Sequence, residues 1–237
     1  MYEFNDNELG KIVVKPHARA KRIIARKTNG HIQLTIPQDL SLKKISEALD
    51  EMRPKLLNFT APEPLKINED TVIETFSFTA RLSRTNLMQN VQMKLKDNEL
   101  TVFLPLDFDL KTEHAQHIVK EMIKAGLRHK AKHVLPRKTM AFAQKFNLQV
   151  SNVKINKSVS RWGSCSGKKN INFSLYLLLL PEKYIDYVVL HELAHTVEMN
   201  HSEKFWKLLS GFCGEDAKKL SQEIKKNTPE VYSLLVS

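Results

Sequence analysis

The chain has 237 residues, which suits one large or two small domains and leaves ample room for a hydrophobic core. Its formal net charge is +11, and it has only two cysteines and no apolar run long enough to span a bilayer, which argues against a disulfide scaffold and a membrane partner. Residues 1–6 show no basic region leading into an apolar segment, so we expect no secretory signal and a cytoplasmic protein.

The first half of the chain is predicted to be rich in strands. Residues 21–26 and 31–37 flank Asn29-Gly30, a strong hairpin signal. Ser41 is expected to cap a helix that runs to about residue 59, with an interruption at Pro54. Further strands are predicted over residues 71–82, 91–95 and 99–104, with a turn at Asp97-Asn98.

The second half alternates between helices and strands. A long amphipathic helix is predicted over residues 112–146, with a break at Pro136. The remaining expected elements are a strand at 148–154, a loop at 161–169, a strand at 170–175 and helices at 181–198, 203–211 and 216–226. We therefore predict an α+β protein, with a β-rich N-terminal domain (1–110, one helix) and a second domain of helices and strands (111–237).

The most informative motif is His191-Glu192-Leu193-Ala194-His195. Residues four apart lie on one face of a helix, so His191 and His195 can both bind one metal ion. Glu192 follows His191 directly, which suits a general base that deprotonates a metal-bound water without binding the metal. Catalytic zinc takes three protein ligands and keeps one open position, and His201 is the natural third ligand.

The residues after the motif are expected to bring His201 back toward the other two histidines. Asn200 tolerates the left-handed conformation that often ends a helix, and Ser202 can cap the next one. Chance occurrence of the motif is a weaker interpretation, because a third histidine follows just past the end of the helix. A structural zinc site is also weaker, because such sites are usually cysteine-rich and neither cysteine lies in a CxxC pair. A site in which Glu215 provides the third ligand remains an alternative.

Positive charge is concentrated in the second half. Residues 111–237 carry 21 Lys and Arg against 11 Asp and Glu, whereas residues 1–110 carry 16 against 15. Between Lys120 and Lys169 the only acidic residue is Glu121. Solvated surfaces are the preferred explanation of such a run, and attraction of an anionic substrate, either a nucleotide or nucleic acid, is the alternative.

Several segments together resemble the YgjP-like zinc metallopeptidase family, and more distantly the SprT-like and WLM-type zinc proteases. These segments are Arg161-Trp162-Gly163-Ser164-Cys165-Ser166, Tyr187 through His195, Asn200-His201-Ser202 with Phe205-Trp206, and Arg19-Ala20-Lys21-Arg22. Metzincins share the histidine spacing, but they carry glycine where this chain has Glu198, and they need a later methionine. No methionine follows Met199, so that class is excluded.

The resemblance implies that residues 111–237 form a zincin-like catalytic domain, with a zinc ion on His191, His195 and His201 and with Glu192 as general base. It also places the loop around Arg161, Trp162, Gly163 and Ser164 near the cleft as substrate-binding residues. Gly163 permits a tight turn, and Arg161 or exposed amides are candidates for stabilising an oxyanion. Cys165 is not favoured as a nucleophile, and Ser174 stands where the family leads us to expect a polar amide.

Three functions follow from these features. The leading prediction is a zinc-dependent hydrolase, a peptidase acting on a peptide or protein. The first alternative, also attached to the family's name, is a nucleoside triphosphate pyrophosphatase that uses the same metal site, although no Gly-rich phosphate loop is present. The second alternative is a DNA-associated protease or basic nucleic-acid-binding protein, whose binding would weaken steeply with salt.

Overall fold

The computed structural model describes residues 2–28, 31–58 and 66–236. Within these ranges it contains eleven strands in three sheets and six α-helices, which confirms the α+β class. The chain splits into two compact units, residues 1–63 and 64–237. This division precedes the expected boundary at residue 110, because the strands of residues 73–105 share one hydrophobic core with the helices that follow.

The first unit is a four-stranded sheet with one helix. Its described elements are β1 (Tyr2–Asp6), β2 (Gly10–Pro16), β3 (Ile24–Thr28), β4 (His31–Ile36) and α1 (Leu42–Asn58). The strand order is β1-β2-β4-β3, with β2 and β4 parallel and the other pairs antiparallel. Alternate residues of β4, such as Ile32 and Leu34, are buried in one core with Ile45 and Leu49 of α1, as the periods of strand and helix require.

Two strands of this unit, β1 and β2, were not predicted from the sequence. Strands β3 and β4 match the predicted pair, while the predicted Asn29-Gly30 turn lies outside the described residues. The predicted interruption at Pro54 is wrong, because α1 continues through this residue. Proline removes the donor for the carbonyl four residues earlier, and Asp50 at that position is exposed, so water can satisfy its carbonyl.

The second unit begins with a sheet of four strands in the order β5-β6-β8-β7. The strands are β5 (Ile73–Glu74), β6 (Thr79–Thr85), β7 (Gln92–Lys96) and β8 (Glu99–Pro105). The single strand predicted over residues 71–82 is divided, because the Thr75 hydroxyl hydrogen-bonds the backbone of Phe78 and stabilises a turn. The predicted turn between β7 and β8 is confirmed, with Asp97 in the left-handed region at φ 52°.

One long helix, α2 (Glu113–Lys145), connects this sheet to the rest of the unit. The predicted break at Pro136 is wrong, because buried residues line the helix on both sides of it, including Leu127, Ala131 and Thr139. Lys132, whose carbonyl loses its donor, is exposed to water. Packing of the buried face therefore outweighs the cost of one missing hydrogen bond.

A second sheet follows, in the order β10-β11-β9. It consists of β9 (Asn152–Asn156), β10 (Gly163–Cys165) and β11 (Asn170–Ser174), and leads into a 3-10 helix, Leu175–Leu179. Residues 161–169 were predicted to be a loop, but they contain β10, which pairs antiparallel with β11. Because β11 lies between the other two strands, β10 forms one edge of this sheet.

Four helices complete the unit: α3 (Glu182–Ala194), α4 (Glu203–Cys213), α5 (Ala217–Lys226) and α6 (Glu230–Val236). The predicted cap at Ser202 is confirmed, and α5 is capped by the Asp216 side chain. Helix α6 was not predicted. Glu182 and Asp186 of α3 both bind Lys138 of α2, with N–O distances of 2.6 and 2.7 Å, which fixes the two helices together. None of the described helices combines the length and apolar character needed to cross a bilayer.

Candidate metal centre

Three histidine rings converge at the C-terminal end of α3. The Nε2 atom of His191 lies 3.2 Å from Nε2 of His195 and 3.1 Å from Nε2 of His201. Two nitrogen ligands bound tetrahedrally to one zinc ion at about 2.05 Å would lie about 3.3 Å apart. Within the described residues, this trio is the one cluster of histidine, cysteine or acidic side chains arranged to hold a metal ion. The predicted ligands are thus brought together.

The chain reverses direction through a tight turn rather than through Asn200. Helix α3 ends at Ala194, earlier than predicted, and the amide of Glu198 still donates to the Ala194 carbonyl. The expectation of a left-handed Asn200 is wrong, since the described non-glycine residues with positive φ are Asp97, Asn147 and Lys169. The turn at residues 195–197 already reverses the chain, so no left-handed residue is needed to return His201.

This turn also orients His195. Its Nδ1–H donates to the Glu198 carbonyl at 3.0 Å, which leaves the lone pair of Nε2 facing the other two histidines. Below the three rings lies Phe205 of α4, which is fully buried. Its ring centroid is 4.6 Å from that of His195, 5.0 Å from His191 and 4.8 Å from His201. An apolar floor therefore holds the imidazoles in place.

Burial keeps the imidazoles of His191 and His195 neutral. Burial, together with His195 and His201, lowers the pKa of His191 to about 3, and burial also lowers the pKa of His195. Neutral imidazole is the form that binds metal ions. His191 Nδ1 is itself buried without a hydrogen-bond partner among the described residues. A donor set of converging imidazole nitrogens, with His201 exposed at the rim, fits a metal ion that keeps an open position.

Glu192 lies beside the histidines but is not part of their cluster. Its side chain is 5% exposed, and Oε2 has no hydrogen-bond partner among the described residues. Burial raises the pKa of this carboxyl to about 8, while the positive charge of Arg161 acts in the opposite direction. A carboxyl tuned toward neutral pH is suited to accept and return a proton.

Gly163 is at the site for a reason that the sequence does not reveal. It lies in the extended strand β10, and its φ is not among the positive values, so the expected tight turn is wrong. A Cβ at this position would lie 2.6 Å from Oε1 and 2.7 Å from Cγ of Glu192. The absence of a side chain is what allows β10 to pack directly against the carboxyl group.

The other residues of the predicted loop have different positions. Arg161 and Trp162 line a cavity of about 360 Å³ that His191 also lines. Ser164 lies in β10, paired with Asn172 of β11, and does not line this cavity. Two of the four residues predicted to bind substrate thus lie at the cavity, and Gly163 instead lies against Glu192.

The other residues considered in the sequence analysis, Glu215, Ser174 and Cys165, lie outside the histidine cluster. Glu215 forms an ion pair with Lys183 at 3.2 Å and is not in the histidine cluster. The Ser174 hydroxyl donates to the Ser158 carbonyl at 2.7 Å. Burial, with Glu192 nearby, raises the pKa of the Cys165 thiol to about 11, so it stays protonated at neutral pH.

Two aromatic residues near the site were not predicted to take part. Tyr187 lies one helical turn before His191, and Tyr232 comes from α6; both line the same cavity as His191. The four-residue spacing on α3 was a usable signal for Tyr187. No local pattern points to Tyr232, since only the tertiary fold brings it to the cavity.

The basic run of α2 forms a separate cavity of about 390 Å³. Lys124, Arg128, Lys132 and Lys157 line it, together with Glu121, which is paired with Lys124 at 2.9 Å. The lysines and arginine on α2 recur every fourth residue and therefore follow one face. Neither Glu192 nor any of the three clustered histidines lines this cavity.

Comparisons with known proteins place the chain among metallopeptidases. A family model described as YgjP-like, metallopeptidase domain, matches residues 21–227. Among curated proteins no significant match was found. A solved structure of the metallopeptidase zymogen abylysin from Pyrococcus abyssi is 25% identical, covers 40% of this chain and 95% of its own, and has a TM-score of 0.35. The solved structure of the metallopeptidase zymogen jannalysin from Methanocaldococcus jannaschii is 22% identical, covers 39% of this chain and 94% of its own, and has a TM-score of 0.35.

Proposed function

The chain belongs to the YgjP-like metallopeptidase family, and on this premise we propose that it is a zinc-dependent peptidase with a zincin-like catalytic centre. The observation that carries this proposal is the convergence of His191, His195 and His201 with Nε2 separations of 3.1 and 3.2 Å. Those separations suit tetrahedral nitrogen ligands of zinc. Membership of a peptidase family also implies that the substrates are peptides or proteins.

In this proposal the three histidines would hold the zinc ion, since their Nε2 atoms converge. When bound, zinc supplies Lewis acidity, which lowers the pKa of a water molecule and polarises a carbonyl group. The Glu198 carbonyl and the Phe205 ring keep the imidazoles oriented. Exposure of His201 leaves the centre accessible from solvent.

Glu192 acts as the general base and then as the general acid. Its carboxylate accepts a proton from the attacking water and returns it to the nitrogen of the leaving amine as the C–N bond breaks. The carboxyl pKa of about 8, raised by burial, supports this exchange near neutral pH. Gly163 supports the role because its lack of a side chain gives Glu192 the room to remain beside the histidines.

Strand β10 is a candidate surface for the peptide backbone. It forms an edge of its sheet and carries Gly163 against Glu192, so an extended substrate that pairs with this edge would pass the proposed base. Arg161, Trp162 and Ser164 flank or lie on this strand. Arg161 also supplies a positive charge close enough to influence Glu192, which suits stabilisation of a developing oxyanion.

Hydrolysis of a nucleotide is the second candidate function. The basic cavity on α2 favours an anionic ligand, either a nucleotide or a nucleic-acid backbone, because three of its cations lie on one helix face. That cavity includes neither Glu192 nor the clustered histidines, so a phosphate bound there would not contact the proposed catalytic groups. Peptide hydrolysis is therefore the preferred function.

The test compares zinc content and peptidase activity of the native chain, Glu192→Gln and Glu203→Gln. We expect about one zinc per chain in all three, with a 10²- to 10⁴-fold loss of kcat in Glu192→Gln alone. Glu203 is a suitable control because its side chain is 88% exposed and paired with Lys218. Near-native activity of Glu192→Gln, or a native chain that binds no zinc when zinc is offered, would contradict the proposal.

A further inference from the structure

The cavity beside His191 combines aromatic walls with positive charge. Its aromatic wall comes from Trp162 and Tyr232, whose ring centroids are 5.0 Å apart, and its aliphatic lining includes Val188 and Ile224. The Tyr232 hydroxyl donates to the Val159 carbonyl at 2.6 Å, which ties α6 to the segment before β10. The wall is therefore already assembled, and its volume of about 360 Å³ accommodates one large side chain.

Both charged side chains at this cavity, apart from the histidine, are cations. Arg161 and Lys225 line it, whereas no Asp or Glu among the described residues does so. No described residue forms an ion pair with either cation. By contrast, Lys183, which lines a neighbouring cavity, is paired with Glu215. Of these two cavities, the one beside His191 carries the unpaired positive charge and therefore attracts an anion.

A buried hydroxyl at the cavity also lacks a full hydrogen bond. Tyr187 is 5% exposed, and its hydroxyl makes no full hydrogen bond to a described residue, with the Ser221 side chain close enough to interact with it. Ser221, Lys225 and Arg161 line the same cavity. Leaving a buried hydroxyl unpaired costs free energy, so a ligand with hydrogen-bond acceptors gains from binding here.

We propose that this cavity binds the C-terminal residue of a peptide substrate, with its apolar side chain against Trp162 and Tyr232 and its free carboxylate on Arg161 and Lys225. The inference rests on the proposed peptidase function. A C-terminal residue is favoured over an internal acidic residue because only the former offers a large apolar side chain and a carboxylate together. An internal Asp or Glu would satisfy the cations but leave the aromatic wall without a partner.

The position of His191 sets which bond would be cleaved. His191 lines the cavity and is also the central histidine of the cluster, so a residue bound in the cavity places its own amide bond next to the metal centre. Hydrolysis there breaks the last C–N bond of the chain. The hydroxyl of water adds to the carbonyl carbon, its other proton goes to the leaving amine, and one free amino acid is released.

The activity test uses the zinc-loaded full chain and three blocked tripeptides: one ending in phenylalanine as the free acid, its C-terminal amide, and one ending in glutamate. We expect kcat/KM for the phenylalanine acid to exceed that for the amide by about 10- to 100-fold, the usual value of a charge-assisted hydrogen bond. Arg161→Gln and Lys225→Gln should each reduce this ratio toward one. Lys226→Gln is the matched control, because Lys226 is the exposed neighbour that does not line the cavity.

A binding measurement separates this inference from the proposed function. Titration calorimetry on zinc-loaded Glu192→Gln should show the same preference for acid over amide, again lost in the Arg161→Gln and Lys225→Gln backgrounds. Cleavage of internal bonds with equal acceptance of acid and amide would overturn the cavity inference and leave the peptidase function standing. Selective binding of the acid without hydrolysis by the native chain would support the cavity and refute the peptidase function. Equal binding of acid and amide would refute the inference directly.

Discussion

In the first unit, Arg53 donates two hydrogen bonds to the Asp6 carboxylate at 2.8 and 2.9 Å and further bonds to Glu8 and Asp50. In the second unit, α3 leaves the Tyr187 hydroxyl, His191 Nδ1 and Glu192 Oε2 buried without a full hydrogen bond. Only one other described buried side-chain atom, Ser77 Oγ, shares that condition. Buried polar groups are normally paired, so the concentration of unpaired groups on α3 fits its proposed role in binding a ligand, whereas the paired groups around Arg53 stabilise the first unit.

Zinc binding should make the largest difference between the two regions. At a free zinc concentration about 1,000 times Kd, we expect the second unit to gain about 4 kcal/mol in unfolding free energy and the first unit to gain none. His191→Ala should abolish the gain. Hydrogen exchange measured with and without zinc gives the stability of both units in the same chain. An equal gain in hydrogen-exchange protection on adding zinc, in residues 2–58 and in residues 66–236, would contradict this expected difference between the units.

Gly163→Ala tests how tightly the strand and the base are packed. The new methyl group would lie 2.6 Å from Glu192 Oε1, so the carboxylate or the strand must shift. We expect kcat to fall about 100-fold with zinc still bound, since a displacement of about 1 Å has that effect on a catalytic group. Gly167→Ala is the matched control, because a Cβ there meets nothing within 4 Å. Similar activity for both variants would show that Glu192 tolerates displacement.

Asp6→Asn tests the paired side of the comparison. Hydrogen bonds from Arg53 hold the pKa of Asp6 below its ordinary value of 3.8, so the unfolded chain takes up the proton first. The stabilisation of the first unit by the Asp6–Arg53 pair is therefore complete above about pH 4 and is lost as the pH falls further. We expect Asp6→Asn to cost the first unit about 2 kcal/mol at neutral pH. Glu3→Gln, which breaks an exposed pair with Lys11, should cost less than about 0.5 kcal/mol in the same denaturation series.

Tyr187→Phe should have the smallest effect on stability. The hydroxyl that it removes makes no full hydrogen bond, so we expect the unfolding free energy of the second unit to change by less than about 0.5 kcal/mol. Tyr232→Phe removes the bond to the Val159 carbonyl and should cost about 1 kcal/mol. Chemical denaturation of both variants gives the comparison. A larger loss in Tyr187→Phe would mean that its hydroxyl has a stabilising role in the absence of ligand.

The sequence predicted those parts of the site that depend on local spacing. His191 and His195 are four residues apart on a helix, and Ser202 caps the helix that follows, so both patterns are visible along the chain. The requirement for glycine at residue 163 could not be predicted, because it arises from Glu192, which is brought against it only by folding. The same holds for Tyr232 at the wall of the cavity.

The fold shows the same division between local and tertiary causes. Strand β1 was missed because it is largely exposed and because its alternation of Tyr2 and Phe4 with polar neighbours covers only four positions, the shortest pattern that indicates a strand. Breaks were expected at Pro54 and Pro136 because proline disfavours helices locally. In both helices the carbonyl that loses its donor belongs to an exposed residue, and only the structure reveals that exposure.

The bond between Tyr232 and the Val159 carbonyl joins residues that are 73 positions apart. During synthesis on the ribosome, the residues of the metal centre leave the exit tunnel before Tyr232 does. A nascent chain that has emerged only as far as α4 has all three histidines and Glu192 but lacks one wall of the cavity. Under the proposed function, selectivity for substrates would therefore be acquired later in translation than the proposed metal ligands.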